Sequence, residues 1–369
     1  MSGSVAVVFF VVSILLVILI HEAAHFGMAK LFKIKVEEFF VGFGPRLWSV
    51  RRGETEYGVK ALPLGGYVRI AGMNPFQEPT PEEYPRTFGA KPAWQRALVI
   101  FAGPATHFVI AFLILVGLLA FAGVPSSSKP VILNVEPKLG ANPSPAAAAG
   151  LRAGDEVIAV DGIDHPNEQQ LIGFTKRHVG RSFTVTVLRD GRRLSFNVTP
   201  VVDPRLHKGR IGVGLGEGTV TVGPVTAVTR AASATGRVSW QVIKRLGQVF
   251  GPQGISRVFE LLFGGAQRKP TDVTSVVGVG RVVSEAPSFS AVLGVLASVN
   301  IFVGILNLVP LPPFDGGHLA VVGYEKIRRR KVDMRRLVPV TAVVAAFLVV
   351  FMLSVLYLDI VKPIPNVFR

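Results

Sequence analysis

The sequence predicts a polytopic α-helical membrane protein: four transmembrane helices, a membrane-dipping β-hairpin-like loop, and an inserted extracytoplasmic α/β domain. Three observations carry that expectation. Hydrophobic residues make up 49% of the 369-residue chain, and the mean hydropathy of +0.46 exceeds that of ordinary soluble domains. Four stretches stay apolar over the ~20 residues that a bilayer-crossing helix needs. Between the second and third of these, residues 125–288 return to a mixed polar and apolar composition.

The first apolar stretch covers about 5–32. A secretory leader begins with basic side chains, and Ser2-Gly3-Ser4 offers none, so this stretch reads as a spanning helix. The second, about 97–124, is entered through Lys91-Pro92-Ala93-Trp94, with proline suited to a first helical turn and tryptophan to an interface. The third, about 289–309, stops at Pro310-Leu311-Pro312-Pro313, and the fourth, about 337–360, stops before Pro363. Orientation follows from basic residues near the span ends. Lys30, Lys33, Lys35, Arg46, Arg51 and Arg52 follow the first span; Lys326, Arg328, Arg329, Arg330, Lys331, Arg335 and Arg336 precede the fourth. Both loops are expected in the cytoplasm of a plasma (inner) membrane protein, with both termini and residues 125–288 outside.

The net charge of +16 fits basic flanks held against anionic lipid. No nucleic-acid-binding signature accompanies it, so membrane lipid and not nucleic acid is the expected partner. The chain has no cysteine, which excludes disulfides, thiolate metal ligands and a cysteine nucleophile.

Within the long stretch, Ser144-Pro145 reads as an N-cap and first helical residue, with Gly150 as the stop. Residues 155–160 read as a strand and 167–179 as a helix ended by Gly180. Phe183, Val185 and Val187, then Asp190-Gly191, then Leu194, Phe196 and Val198 form a hairpin signature. The run SPAAAAGLRAGDEVIAVDG resembles a PDZ domain of the bacterial protease type, which implies a sheet edge beside a helix, able to take an added peptide strand or to act as a spacer. Ser126-Ser127-Ser128 reads as a linker, and residues 225–263 as an amphipathic helix against the outer leaflet. The expected division is a catalytic half at 1–124, with a β region at 35–72, the PDZ domain at 129–202, a linker with the amphipathic helix at 203–288, and a second catalytic half at 289–369.

The first span ends in His21-Glu22-Ala23-Ala24-His25. Residues four apart share one helix face, so His21 and His25 can grip one ion, with Glu22 beside them as general base. Ionisable groups inside a membrane helix are costly and mark function. Catalytic zinc takes a third protein ligand and keeps a position for water. Asp315 is the leading candidate, because the prolines at 310, 312 and 313 break the third span and Gly316-Gly317 let the chain turn tightly there. His318 is a second, lower-ranked candidate.

These segments together resemble the site-2 protease family of intramembrane zinc metalloproteases, in the order of the bacterial group that cleaves anti-sigma factors. The resemblance rests on HEAAH, GFGP at 42–45, PLGGYV at 63–68, FAGP at 101–104, a single PDZ domain, and NLVPLPPFDGG. It implies Zn2+ held by His21, His25 and Asp315, Glu22 as base, and a substrate that is a single-span transmembrane protein of the anti-sigma-factor kind, cut second in regulated intramembrane proteolysis. It also implies that Asn307 holds the substrate backbone; Asn300, two helical turns earlier, and Gly65, Gly66 and Tyr67 of the β region are further candidate substrate contacts. Two positions depart from the family pattern. Phe314 stands where leucine is usual, and His107 stands where asparagine is common; it is read first as a hydrogen-bonded packing group, with an extra polar contact near the zinc as the alternative. The competing readings are a zinc transporter, a PDZ-bearing scaffold, and an inactive adaptor. A transporter has little use for the glutamate, a scaffold needs no metal motif, and an adaptor would have lost a site residue. Oligomeric state is not readable.

Overall fold

The computed structural model describes residues 2–364 apart from 75, 77, 78, 205, 221 and 270. The chain divides into two compact units, residues 1–118 with 228–369, and residues 119–227. Helix α1 (Gly3–Leu31) opens the first unit. Its buried positions are Ala6, Phe10, Val17, His21, His25 and Ala29, one stripe at near-fourfold spacing, while Val5, Val8, Val12 and Leu16 on other faces are exposed. An all-apolar helix that buries one stripe is a lipid-facing helix, and the imidazole pair lies on the side turned away from lipid.

Strands β1 (Val36–Arg52) and β2 (Thr55–Ile70) follow as an irregular antiparallel pair. Both fold back on themselves. Residues 36–41 of β1 lie opposite 66–70 of β2 and also opposite 56–59, while 46–52 return along 55–60. Gly42 and Gly44 adopt φ of +88° and +84° at the bend, a region that glycine enters without penalty. The expected hairpin-like element is therefore a small, doubled-over sheet. Helix α2 (Ala93–Gly117) then runs as the second long apolar helix, extended by a π-helical turn to Ala122.

The second unit is a sheet in the order β12-β3-β6-β8-β9. Its elements in chain order are β3 (Val124–Val135), β4 (Lys138–Leu139), β5 (Asn142–Pro143), α3 (Pro145–Ala149), β6 (Glu156–Val160), β7 (Ile163–Asp164), α4 (Glu168–Arg177), β8 (Phe183–Arg189), β9 (Arg192–Val198), β10 (Val201–Val202), β11 (Gly209–Arg210) and β12 (Val213–Val220). The local rules hold. Ser144 caps α3 by accepting from the Ala147 N–H at 3.1 Å, Asn167 and Gln170 form a capping box on α4, and Asp190-Gly191 turn the β8–β9 hairpin with φ of +51° and +76°. Ile132, Leu151, Val157, Leu171, Phe183, Val185 and Val187 fill the core. Two boundaries need correction. Ser126–Ser128 lie within β3, not in a linker. The module does not end at 202, because β12 pairs with β3 and closes the sheet.

Helices α5 (Pro224–Val249), α6 (Pro252–Phe263), α7 (Val276–Ser284), α8 (Phe289–Asn307), α9 (Asp315–Arg328) and α10 (Val338–Val361) complete the chain. The expected amphipathic helix at 225–263 is two helices, broken at Gly251. Val238 and Val242 of α5 pack on Ala111, Ala297 and Ile301, so this face is a helix-packing face and not a leaflet-facing one. Among the described residues, four helices are long and apolar enough to cross a membrane: Gly3–Leu31, Ala93–Ala122, Phe289–Asn307 and Met334–Val361.

Two ion pairs hold the units internally. In the first unit, Arg96 at the start of α2 meets Glu325 near the end of α9 at 2.5 Å, both nearly buried. The other Glu325 oxygen accepts from the Val332 N–H at 2.8 Å. In the module, Asp155 is 1% exposed and accepts from Arg189 at 2.7 Å and from the Arg152 N–H at 2.9 Å. Burial alone pushes the Asp155 carboxyl up, but these donors outweigh it and hold it below the usual carboxylate range.

Glu325→Ala leaves Arg96 buried without its partner and is expected to cost about 3–5 kcal/mol. Thermal unfolding in detergent measures this, and the paired change Arg96→Met with Glu325→Leu is expected to recover most of the loss. Asp155 titrates lower folded than unfolded. Its stabilisation is therefore complete above its ordinary value of about 4 and fades as pH falls through the depressed folded value. Asp155→Asn is expected to speed amide exchange across 130–198 at neutral pH in the full-length protein, and to flatten the acid loss that the wild type shows.

Candidate metal centre

His21 and His25 sit on the buried stripe of α1, 8% and 9% exposed. Their Nε2 atoms are 3.1 Å apart. Asp315 Oδ2 lies 3.3 Å from His21 Nε2 and 3.4 Å from His25 Nε2. The ligand atoms of the three residues fall within 4.8 Å of one another, the arrangement of a metal site. Sequence separation is bridged by the break after α8. The N–H groups of Leu311, Phe314 and Gly317 each bond back to the carbonyl two or three residues earlier, so the chain coils tightly and α9 starts at Asp315. No side chain fits at the next two residues. A Cβ on Gly316 would stand 2.3 Å from the Val309 carbonyl oxygen, and one on Gly317 would stand 2.5 Å from Pro312 N. The start of α9 is thereby pressed onto the end of α8, which fixes where Asp315 points.

Helix α2 forms the wall behind the imidazoles, through one residue on each of three successive turns. His25 Nδ1 donates to the Val99 carbonyl at 2.8 Å, which leaves Nε2 with a lone pair. Gly103 comes next; a Cβ there would lie 2.2 Å from His25 Nε2 and 2.7 Å from His21 Cε1. His107 follows, its Nε2 3.1 Å from His21 Nδ1, and its Nδ1 3.2 Å from Asn300 Oδ1 on α8. The spacing of Val99, Gly103 and His107 is the one available signal for this wall in the sequence, and the motif reading did not use it.

Glu22 is half-buried beside the pair and lies against β2. A Cβ on Gly66 would come 3.4 Å from Glu22 Cγ, and the backbone of Val68 faces the carboxylate. Gly65, at φ +151°, packs under Phe43. Tyr67 stacks on Phe40 and Phe43 and donates its hydroxyl to Glu38. Asn307 is half-buried at the last position of α8.

Three placements differ from the sequence reading. Asn300 is 1% exposed, with its amide committed to His107 and to the Leu296 carbonyl, so it does not face a substrate. His107 is hydrogen-bonded to a member of the cluster and is more than a packing group. His318 is not part of the cluster among the described residues; it lines a separate cavity of about 440 Å³ with Met73, Pro312, Pro313 and Thr341. The cluster itself suits zinc. Two imidazole nitrogens and one carboxylate oxygen are the donor set of a three-ligand catalytic site, both lone pairs converge, and the space a Cβ would take at Gly103 is left to the rings.

Comparison with known proteins agrees with this chemistry. Residues 9–351 match the model of peptidase family M50. The chain is similar to zinc metalloprotease Rip1 of Mycolicibacterium smegmatis, at 34% identity over 99% of both chains. It is also similar to Rip1 of Mycobacterium tuberculosis H37Rv, at 33% over 97% of this chain and 98% of that one, and to metalloprotease MmpA of Caulobacter vibrioides, at 30% over 87% and 86%. Among solved structures, the PDZ domain of an SdrC-like protein from Listeria monocytogenes matches at 20% identity, covering 25% of this chain and 90% of that one with a TM-score of 0.21. The chain belongs to peptidase family M50 and is a zinc metalloprotease with a polytopic helical membrane fold.

Proposed function

We propose that this metalloprotease hydrolyses a peptide bond inside the transmembrane segment of a single-span protein of the anti-sigma-factor kind, as the second cut of regulated intramembrane proteolysis. One observation supports this above the rest: the imidazole pair of the cluster lies on the inward stripe of a helix whose other faces are apolar and exposed, and Asp315 of α9 meets it there. A protease acting on soluble chains has no reason to pay the desolvation cost of that position. A transporter or scaffold has no need of a glutamate packed beside the cluster. The basic residues flanking the spans support a reading in which the cluster faces the cytoplasm and residues 119–227 lie outside.

In this reading His21, His25 and Asp315 hold Zn2+, which supplies Lewis-acid polarisation and a water of lowered pKa. Glu22 takes a proton from the attacking water and returns it to the leaving amine nitrogen. The β2 backbone at Gly66 passes beside Glu22, so a substrate segment laid extended along it brings its carbonyl to the base. A transmembrane helix has to unwind for this, and a strand partner replaces the hydrogen bonds it gives up. Asn307 and Tyr67 are the proposed flanking contacts. In the module, a cleft of about 340 Å³ lies between α4 and β12, lined by Leu171, Thr175, Ile211, Val213 and Leu215. With β12 at the end of the sheet, the cleft fits an added peptide strand better than a featureless spacer. Its proposed role is to receive the outer part of a substrate already trimmed by another protease.

Glu22→Gln is expected to retain zinc in the detergent-purified protein and to lower cleavage of a single-span substrate by about 10²-fold or more. Cleavage at the wild-type rate refutes the base assignment. Gly103→Ala, which adds one methyl group against the rings, is expected to lose zinc on gel filtration while the protein stays monodisperse; metal content measured by atomic emission decides it.

A further inference from the structure

The hydrogen bonds behind His21 have a direction, and it is set at their far end. Asn300 Nδ2 donates to the Leu296 carbonyl at 2.8 Å. That turns Oδ1, which can only accept, toward His107 Nδ1 at 3.2 Å. His107 Nδ1 therefore carries the proton, and the neutral ring presents Nε2 as an acceptor. His21 Nδ1, 3.1 Å away, donates to it. The remaining nitrogen, His21 Nε2, is left with its lone pair aimed at His25 Nε2 and Asp315 Oδ2. His107 is 2% exposed and Asn300 1%, so water does not compete for these bonds. The helices are close enough because Gly304 on α8 carries no side chain: a Cβ there would press to 3.1 Å of His107 Cβ.

We infer that His107 and Asn300 are positioning residues which together hold His21 in the one tautomer and ring orientation that can ligate zinc. The inference rests on the zinc site proposed above. Metal-bound histidines ordinarily donate their second N–H to a carboxylate, a carbonyl or water. Here the acceptor is a third imidazole, whose own tautomer has to be set in turn, and a buried asparagine anchored by a main-chain carbonyl sets it. His25 needs no such relay, because the Val99 carbonyl is an acceptor in every state.

The test uses the full-length protein in detergent and four substitutions. His107→Phe and Asn300→Leu keep apolar volume but break the relay. His107→Gln keeps an acceptor near the Nε2 position, while Asn300→Asp keeps an acceptor toward His107 but lacks the N–H that anchors it to the Leu296 carbonyl. Zinc affinity is read by competition with a chromophoric chelator, the visible spectrum is read after cobalt substitution, and the thermal midpoint is read on the metal-free form. The Phe and Leu variants are expected to lose affinity by on the order of 10–100-fold and to change the cobalt spectrum, with the Gln variant close to wild type and the Asp variant between. Wild-type zinc affinity in the Phe and Leu variants overturns the inference. So does an equal loss in all four variants that follows the metal-free midpoint, which marks a packing role. Asp315→Ala serves as reference: if it holds zinc as tightly as the wild type, the ligand assignment itself fails and not the relay.

Discussion

The structure is organised around one electrostatic problem: two imidazoles and a carboxylate within 4.8 Å of one another, inside a bundle of helices that are otherwise apolar. Polar groups at such a position cost free energy unless each is bonded. Every second valence of the imidazole pair is accordingly taken up. His25 is tied to the Val99 carbonyl and His21 to His107. Asp315, the one anion of the cluster, faces both free nitrogens. What the site leaves open are the lone pairs that a cation satisfies.

Close approach is the second requirement, and it is met with glycine. Gly103 makes room for the rings, Gly304 lets α8 reach His107, and Gly316 with Gly317 let α9 begin against the end of α8. Small residues at these crossings let helix backbones come together where lipid offers no hydrophobic drive to association. The Arg96–Glu325 pair then ties the start of α2 to the far end of α9. The helix that carries the wall and the helix that carries Asp315 are thus tied together at the end of α9 remote from Asp315.

Much of this was legible in the sequence, and the limits have physical causes. His21, Glu22 and His25 are readable because the helical period alone puts four-apart residues on one face. Asp315 is readable because prolines and glycines in an apolar run announce a break. The cap at Ser144 and the turn at Asp190-Gly191 are local chemistry, and they appear where the residues predict them. Apart from the helix break at Gly251, the failures are long-range. Residues 213–220 look like a continuation of linker until they pair with β3, and Ser126–Ser128 look like linker until the same pairing extends them. His107 and Asn300 lie on different helices, and nothing in either neighbourhood reveals that their side chains meet. A polar residue in a membrane helix announces that it has a partner, but not which one.

The division of labour within the site follows from which element touches which residue. The imidazoles are held from behind by α2 and, through His107, by α8. Glu22 projects to the side and rests on β2. In the proposed mechanism, holding the cation and moving the proton therefore fall to separate parts of the framework, although the residues adjoin in sequence. β2 is also the element beside which an extended substrate is proposed to lie, so a shift of that strand reaches the base and the scissile carbonyl together while the ligands stay fixed. Such coupling suits the proposed substrate, which arrives as a transmembrane helix: in that reading the base reaches its working geometry when a strand partner is in place, and the cation does not depend on it.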